Sequence, residues 1–245
     1  MDWFSDDAFW RDFFPYMFPS ERFAASGEQV EQILRLTGCE KGAVLDLCCG
    51  PGRHSIVFAQ RGFAVTGVDA SPFLLGYARE RGLETAVNVE WVLEDMRHFG
   101  RASAFDLACS MFTSFGYFED DEDNVRVLRN VHESLKHGGA FVMEMLGKER
   151  LLRVWQQAVC TDNPDGSLLL QRHKMRDGCG RIDNEWIILK DGSYRTFHFN
   201  HAVYSGMEIE DRLKRAGFAD VRLYGDLQGA PYGLEAVRLV AVARK

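Results

Sequence analysis

An aspartate and two glycines stand where an apolar segment gives way to a turn, and residues of these types suit the binding of a nucleotide. Asp46 lies near the end of the apolar segment 44–47, and Gly50 and Gly52 follow within six residues. Glycines let a backbone approach a ligand without a Cβ in the way. The helix expected from Arg53 onward directs its free N–H groups at the same turn. This junction therefore predicts a cradle for a nucleotide-containing ligand.

A second acidic residue, Asp69, ends the next apolar segment, 64–68. It follows the glycines by about 20 residues, the distance at which an acid reaches ribose hydroxyls in doubly wound folds. A nicotinamide dinucleotide would also fit this spacing. Its G-x-G-x-x-G fingerprint is incomplete, however, because Ser55 stands where the third glycine is required and bulky Arg53 and His54 precede it. The pattern therefore disfavours a dinucleotide.

The segment 46–52 resembles motif I of the class I S-adenosylmethionine-dependent methyltransferases, D-x-G-x-G-x-G, with Cys48 in place of the first glycine. Later segments resemble the other strands and turns of that family in the family's order, and they are 64–69, 89–96, 105–112 and 135–144. Residues 213–218, 221–224 and 238–243 resemble its last helix and closing antiparallel hairpin. The resemblance covers most of the chain apart from 148–204.

This resemblance implies S-adenosylmethionine as the cofactor, with no metal ion. It assigns Asp69 to the ribose hydroxyls and Asp95 to the adenine amino group. Arg53 is a candidate partner of the cofactor carboxylate because it stands beside Gly52 at the expected helix N-terminus, with a surface ion pair as the alternative. Similar methyltransferases of amino sugars and glycine place an N-terminal tyrosine over that carboxylate, and Tyr16 lies in a comparable stretch. The expected cofactor-binding residues are Tyr16, Asp46, Cys48, Gly50, Gly52, Arg53, Asp69, Ala70, Asp95, Met96 and Met111.

The methyl acceptor must be a small molecule if the loop 111–118 has the role that its resemblance implies. This loop is similar to the one that passes beside the transferable methyl in methyltransferases of amino sugars and small amines. It lacks the Asn/Asp-Pro-Pro-Tyr/Phe signature of enzymes that methylate nucleic-acid bases. We therefore expect transfer to an amine or hydroxyl of a small molecule, which asks for positioning more than for a base. The candidates near the acceptor are Tyr117, His198, His201, Tyr204 and Tyr232, of which Tyr117, His198 and Tyr204 are expected to be catalytic.

The order of these segments predicts an α/β fold. The resemblance implies a doubly wound, mostly parallel seven-stranded sheet, the Rossmann-like methyltransferase fold, and to this we add an antiparallel β insert. The insert, 148–204, contains three strand-like runs separated by Asp177-Gly178 and Asp191-Gly192, which are hairpin signals. An insert after the fifth strand lies at the ligand-binding edge of the sheet, so we expect it to roof the substrate pocket. The predicted parts are a lid segment, 1–27, a methyltransferase domain, 28–147 and 205–245, and the insert.

For the last insert strand and for the N-terminal aromatic residues, two interpretations each remain open. In the last insert strand the polar alternate residues, among them His198, are favoured to face substrate, and solvent is the other option. The nine aromatic residues between Trp3 and Phe23 form either a lid over the site or packed helix faces. A nicotinamide-dependent oxidoreductase and a non-catalytic cofactor-binding module remain the alternative functions.

Composition limits the partners and the compartment. The chain has 245 residues, a formal net charge of -7 and no run of basic residues, which argues against attraction to nucleic acid or to an anionic membrane. Its six cysteines have no C-x-x-C spacing, so reduced thiols are expected. The N-terminal residues lack a basic and an apolar region, and no run approaches the ~20 apolar residues of a membrane span. We expect a cytoplasmic protein, with a homodimer as an open option.

Overall fold

The structure, a computed structural model, describes residues 2–245. Its strands in chain order are β1 (Ala43–Leu47), β2 (Ala64–Asp69), β3 (Val89–Leu93), β4 (Phe105–Ser110), β5 (Leu135–Met145), β6 (Ala158–Asp162), β7 (Leu168–Arg176), β8 (Arg181–Lys190), β9 (Ser193–Ala202), β10 (Asp220–Tyr224) and β11 (Leu239–Arg244). Its α-helices are α1 (Asp7–Met17), α2 (Ser20–Ala24), α3 (Ser26–Thr37), α4 (Arg53–Gln60), α5 (Pro72–Glu84), α6 (Asp121–Ser134), α7 (Lys148–Arg153) and α8 (Gly206–Arg215). A short 3-10 helix, Trp3–Ser5, precedes α1.

Seven strands form the main sheet in the order β10-β11-β5-β4-β1-β2-β3. Strands β1 to β5 are parallel, while β11 runs antiparallel to β5 and β10 antiparallel to β11. The chain order reverses between β1 and β4, and in open α/β sheets a ligand binds outside the carboxyl ends of the strands at such a point. The predicted doubly wound, mostly parallel sheet is therefore confirmed.

Helices cover both faces of this sheet, as the near-continuous apolar strands require. On one face, Leu128 of α6 and Leu213 of α8 are fully buried in the core that contains Leu45. On the other face, Ile33 of α3 and Phe58 of α4 are fully buried in a second cluster. The strands that carry the turns at the switch point are therefore held from both sides.

The insert forms a separate antiparallel sheet of four strands in the order β6-β7-β8-β9. Both Asp-Gly pairs have positive φ, 55° and 60° at Asp177 and Gly178 and 51° and 74° at Asp191 and Gly192. The first pair lies in the loop 177–180, where Cys179 also has positive φ, and the second is itself the whole loop between Lys190 and Ser193. A two-residue loop with positive φ at both positions, as at Asp191 and Gly192, is typical of the type I′ turn that matches the twist of the flanking strands. Strand β6 is an addition to the three predicted strands, and its residues are mostly exposed, so alternation gave little signal for it.

The N-terminal aromatic residues pack between the insert sheet and the core. Phe9 and Phe13 of α1 are 1% and 0% exposed. Their rings meet Phe197 of β9 with centroids 5.5 and 5.3 Å apart, and Leu74 of α5 belongs to the same apolar cluster. For these two rings the packed-face interpretation is the one that the structure supports. Helix α1 thereby ties the insert to the core.

Among residues 2–245, no helix has the length and apolar character needed to cross a membrane. The same residues contain no cluster of three or more His, Cys, Asp and Glu side chains arranged to hold a metal ion. All six cysteines are free thiols.

Candidate active site

A first cavity opens at the switch point between β1 and β4, along the carboxyl ends of β1, β2 and β4. It is lined by nine of the predicted cofactor residues, namely Asp46, Cys48, Gly50, Arg53, Asp69, Ala70, Asp95, Met96 and Met111. Aromatic side chains from the N-terminal segment, Trp3, Phe4, Trp10 and Phe18, close its outer side. The parallel sheet has therefore gathered residues up to 65 positions apart in the sequence around one space.

Asp69 presents a buried carboxylate at the end of β2. Its Oδ2 accepts a hydrogen bond from the Gly50 N–H at 2.8 Å, and its Oδ1 accepts one from the Ser71 N–H at 2.9 Å. Burial raises the pKa of this carboxyl to about 6, although the backbone N–H groups oppose the shift. Each oxygen keeps a further lone pair for a ligand hydroxyl.

The two glycines of the turn leave space for different neighbours. A Cβ on Gly50, whose φ is +55°, would point toward Phe18 at 3.6 Å, across the first cavity. A Cβ on Gly52 would instead lie 2.7 Å from the Trp91 ring and 3.2 Å from the Ala78 Cβ. Gly52 does not line the cavity, so its expected contact with the cofactor is corrected: its small size admits the packing of Trp91.

Cys48 occupies the first-glycine position of the turn with a φ of +59°, in the left-handed region. This conformation is unfavourable for a non-glycine residue, with a free-energy cost of about 1–2 kcal/mol for an ordinary side chain. The thiol lines the cavity and lies 3.5 Å from the Met96 sulfur. Cys48 therefore adopts the left-handed backbone conformation that a glycine would adopt at this position.

Asp46 lies below this turn, 2% exposed. Its Oδ2 accepts a hydrogen bond from the Ser55 hydroxyl, and its Oδ1 lies 3.6 Å from the Cys109 sulfur. Burial raises the pKa of this carboxyl, and the Ser55 hydroxyl opposes the shift. Asp46 therefore joins β1, β4 and the first turn of α4 beneath the cavity.

Asp95, after β3, is held by the neighbouring Arg97. The guanidinium donates to both carboxylate oxygens, at 3.1 Å from Nε to Oδ1 and 2.6 Å from Nη2 to Oδ2. Burial opposes the lowering of the Asp95 pKa, and the hydrogen bonds from Arg97 outweigh it. Arg97 also pairs with Asp2 at 2.8 Å. The edge of the cavity at β3 is thereby linked to the N-terminal segment.

Arg53 is 6% exposed and lies at the other end of the first cavity. Its Nη1 donates to the Arg22 carbonyl at 2.8 Å, and its guanidinium lies 5.3 Å from the Phe112 ring centre. The surface ion pair considered for Arg53 is absent among residues 2–245. Burial and then the charge of Arg22 lower the pKa of Arg53, while the carboxylates of Asp46 and Glu144 oppose the shift.

The loop after β4 is clamped in a conformation that the sequence did not reveal. Phe112 and Thr113 both have positive φ, 67° and 60°. Glu144 fixes them, because its carboxylate accepts from the Phe112 N–H at 2.7 Å and its carbonyl from the Thr113 N–H at 3.0 Å. Arg238 pairs with the same carboxylate and donates to the Thr113 hydroxyl at 3.1 Å. Backbone strain from positive φ at non-glycine residues persists only where several surrounding contacts hold the residues in place.

Tyr16 does not reach the first cavity. Its hydroxyl is hydrogen-bonded to Ser167 at 2.6 Å and to Asp165 at 3.0 Å, both in the turn between β6 and β7 of the insert. Helix α1 turns this side chain away from the turn after β1, and Tyr16 is absent from the cavity lining. The expectation that it covers the cofactor carboxylate is corrected on this geometry.

A second cavity lies between the loop after β4, the N-terminal segment and the inner face of the insert sheet. It shares four lining residues with the first cavity, namely Trp3, Met17, Thr113 and Tyr117. Its insert wall carries Trp186 and Phe199 together with the polar residues His173, Asn184 and His201. The two cavities therefore adjoin at Tyr117.

The three predicted catalytic residues are placed differently. Tyr117 stands at the junction, and its hydroxyl donates to the Thr113 carbonyl at 2.8 Å. Tyr204, 4% exposed, lines the second cavity only, and its hydroxyl donates to Asp121 at 3.3 Å. Burial raises the pKa of both phenols, so both stay protonated near neutral pH.

His198 is exposed on the outer face of β9, and it lines neither cavity. The expected catalytic placement is therefore corrected, as is the preference for the polar face of this strand as the substrate side. The apolar face turns inward, because Phe197 and Phe199 bury area against α1. His201 lies on that inner face, 5.6 Å from Tyr117 between ring centres.

Tyr232, the remaining candidate, contacts Glu149 through its hydroxyl and lines neither cavity. Alternation placed His198 and His201 on opposite faces of one strand, and the packing of that strand against α1 decided which of them faces the cavity. The residues that the sequence did not single out at all are Arg22, Phe112, Thr113, Glu144, His173, Asn184 and Arg238.

The first cavity fits S-adenosylmethionine in its donor set and shape. A glycine whose missing side chain leaves space opposite Phe18 suits a close approach of ligand to backbone. The Asp69 carboxylate suits a vicinal diol, and the arginine-rich end suits a carboxylate. Apolar Met96 and Leu74 are suited to contact an adenine ring.

Comparison with known proteins gives the same family. Residues 44–139 match the family model described as a methyltransferase domain. The chain is 29% identical to a dTDP-3-amino-3,4,6-trideoxy-alpha-D-glucopyranose N,N-dimethyltransferase of Streptomyces venezuelae, over 87% of this chain and 91% of the relative. It is 26% identical to a glycine/sarcosine N-methyltransferase of Aphanothece halophytica, over 91% of this chain and 83% of the relative.

The fold is also found in solved structures. A crystal structure of an S-adenosylmethionine-dependent methyltransferase from Clostridium acetobutylicum ATCC 824 superposes with a TM-score of 0.80 at 16% identity, covering 97% of this chain and 98% of that one. The family model and the curated relatives identify the protein as a methyltransferase, rather than an oxidoreductase or a non-catalytic module. Its cofactor is S-adenosylmethionine. This chain is an S-adenosylmethionine-dependent methyltransferase that resembles the class I enzymes, and it is similar to the N-methyltransferases of amino sugars and glycine.

Proposed function

We propose that this enzyme transfers a methyl group from S-adenosylmethionine to an amine of a small molecule bound in the second cavity. The observation that carries the proposal is that this cavity adjoins the cofactor cavity at Tyr117 and Thr113. An amine placed there lies next to the cofactor without crossing the main sheet. The relatives named above act on an amino sugar and on glycine or sarcosine, which supports an amine as the nucleophile.

The chemistry of the second cavity also favours nitrogen over oxygen. The bound cofactor supplies an electrophilic methyl on sulfur, and a neutral amine attacks it with its own lone pair. A hydroxyl would need a base to remove its proton. His201 is a poor base because burial, and then the charge of Arg181, lower its pKa to about 4. Tyr117 already donates its proton to a carbonyl.

We assign roles to this chain's residues on that basis. Asp69 binds the ribose hydroxyls, Asp95 meets the adenine, and Arg53 with Arg22 holds the cofactor carboxylate. Tyr117 is the catalytic residue, because its oxygen can accept a hydrogen bond from the amine and orient the nitrogen lone pair toward the methyl. Residues 148–204 and the N-terminal segment form the roof over the amine.

The experiment measures methyl transfer to matched pairs of amines and alcohols. Purified enzyme with S-adenosylmethionine is offered glycine, sarcosine, ethanolamine and D-glucosamine, with ethylene glycol and D-glucose as the hydroxyl counterparts. We expect S-adenosylhomocysteine and an N-methylated product with at least one amine and none with the alcohols, detected by mass spectrometry.

The control is the Gly50→Val variant, which is expected to lose the cofactor and all transfer. O-methylated product from an alcohol would replace the amine by a hydroxyl as the substrate group. No product from any amine, with enzyme that binds S-adenosylhomocysteine, would contradict the proposed function.

A further inference from the structure

Three polar side chains cross the inner face of the insert sheet in an otherwise apolar wall. They are His173 on β7, Asn184 on β8 and His201 on β9. His173 and Asn184 are directly opposed across the antiparallel pair, and His201 lies diagonally from Asn184. All three line the second cavity, and Asn184 is 6% exposed. The proposed catalysis assigns them no role.

Asn184 connects the two imidazoles. Its Oδ1 lies 2.9 Å from the His173 Nδ1, and its Nδ2 lies 3.2 Å from the His201 Nδ1. An amide oxygen only accepts hydrogen bonds and an amide nitrogen only donates them. The orientation of the amide therefore decides the tautomer of each ring.

A further contact decides that orientation. The Asn184 Nδ2 lies 3.4 Å from the Ile182 carbonyl oxygen, which can only accept. The group facing Ile182 and His201 is thus the NH2 group, and the group facing His173 is the oxygen. It follows that the His173 Nδ1 carries a proton and the His201 Nδ1 does not.

Each uncharged ring then offers the opposite group at Nε2. His173, protonated at Nδ1, presents a bare Nε2 that accepts a hydrogen bond, while His201 presents an Nε2–H that donates one. Neither Nε2 has a hydrogen-bond partner within residues 2–245. Burial lowers the pKa of His201 to about 4, which keeps this ring uncharged at neutral pH.

We propose that Asn184 holds His173 and His201 in opposite tautomers. The two histidines, a tautomer-locked pair, give the second cavity one fixed hydrogen-bond acceptor and one fixed donor. This pair selects a substrate amine that also carries an oxygen function, such as an amino alcohol, over an amine with a plain alkyl chain. The selection rests on the proposed function, whereas the locked tautomers do not. A substrate that lacks the oxygen leaves the His201 N–H without a partner, and an unpaired buried donor costs about tenfold or more in binding.

The tautomers are tested on the enzyme without any substrate. Two-bond proton–nitrogen NMR spectra of 15N-histidine-labelled protein at pH 8 distinguish protonated from bare ring nitrogens, with assignments from His173→Gln and His201→Gln. We expect an Nδ1–H ring for His173 and an Nε2–H ring for His201. In Asn184→Asp, whose carboxylate can only accept, His201 should change to Nδ1–H. The same tautomer in both wild-type rings overturns the inference, and this result stands even if the Asn184 variant fails to fold.

The selection is tested with ethanolamine and n-propylamine, which match in length and differ in the hydroxyl. At saturating S-adenosylmethionine, we expect kcat/KM to be at least tenfold higher for ethanolamine. Both values are calculated on the concentration of neutral amine, because n-propylamine is the stronger base and is more fully protonated at a given pH. His201→Phe should reduce this ratio to within threefold, and His201→Gln, which retains an N–H donor, should restore part of it. His198→Phe, on the outer face of the same strand, is the matched control and should keep the ratio.

Equal kcat/KM for the two amines in the wild type overturns the selection and leaves the amine methyltransferase intact. Transfer to neither amine, with His173 and His201 NMR signals that do not move when ethanolamine is added to the S-adenosylhomocysteine complex, also overturns it. The proposed function itself fails only if no amine of the wider set is methylated.

Discussion

The two cavities meet at Tyr117, yet they are formed by different kinds of structural element. The first is formed by strand ends and the turns that follow them, and its polar groups, such as the Asp69 carboxylate, are held by backbone N–H groups of those turns. The second is formed by aromatic side chains and cross-strand pairs, such as His173 with Asn184, that come from the loop after β4, the N-terminal segment and the insert.

This difference separates two kinds of specificity. A cavity formed by turns after parallel strands keeps its shape because the core on both sides of the sheet fixes those turns. A cavity lined by side chains of an added sheet can change its chemistry by substitution without disturbing the turns. We infer that changes in the first cavity affect cofactor binding, and changes in the second affect methyl transfer to a given amine.

The largest effect is expected from Gly50→Val. A branched Cβ at a φ of +55° would project between the turn and Phe18, into the space of the cofactor. Isothermal titration with S-adenosylhomocysteine should detect no binding. Gly62→Val is the matched control, because Gly62 also has a positive φ, +85°, but its Cβ would meet nothing within 4 Å. Wild-type affinity in the Gly50 variant would remove the turn from the binding model.

Asp69→Ala should weaken S-adenosylhomocysteine by at least ~1.5 kcal/mol, the low end for hydrogen bonds to a charged group. The affinity of the wild type should also depend on pH. Since the pKa of Asp69 is about 6 in the free enzyme, the carboxylate is charged above pH 7 and becomes protonated as the pH falls through 6. Affinity should therefore be full above pH 7 and decrease below 6.

Titration calorimetry from pH 5 to 8 measures this dependence. The Asp95→Asn variant is the control and should keep the decrease near pH 6, whereas Asp69→Asn should show none there. A wild-type affinity that stays constant over this range, in protein shown to be folded, would contradict the assignment of Asp69.

Tyr117→Phe should separate the two cavities most clearly. Removal of the hydroxyl is expected to lower kcat for an accepted amine about 10- to 100-fold while S-adenosylhomocysteine affinity changes less than threefold, the pattern of a group that acts at the transition state. His198→Phe should leave both quantities unchanged. Steady-state kinetics and calorimetry on the two variants provide the comparison. An unchanged kcat in Tyr117→Phe would take the phenol out of the mechanism.

Cys48→Gly is expected to have the smallest effect. It removes a side chain from a left-handed backbone position, and the gain is partly offset by the greater freedom of glycine in the unfolded chain. We expect a stabilisation of about 1 kcal/mol in thermal or urea unfolding, with S-adenosylhomocysteine affinity within twofold of the wild type. A loss of stability would show that the contact between the Cys48 and Met96 sulfurs outweighs the backbone strain.

The amino-acid sequence by itself determined the main sheet and most of the first cavity. Asp46, Gly50 and Asp69 follow apolar strand segments at short, fixed spacings, and parallel strands must place their carboxyl ends along one edge. The hairpins of the insert were also predicted, since the Asp-Gly pairs at Asp177 and Asp191 lie in the two loops, and the second adopts the positive φ that a type I′ turn needs. These features depend on residues close together in the chain.

Only the tertiary structure decided which side chains meet across the insert, the core and the N-terminal segment. His198 and His201 are both on β9, and the packing of Phe197 against α1 selected the inward face. Gly52 and Trp91 belong to different strand–turn units, so their contact was not visible in either segment. Tyr16 turned to Ser167 because helix α1 docks on the insert, and docking depends on the sum of many apolar contacts between segments distant in the sequence.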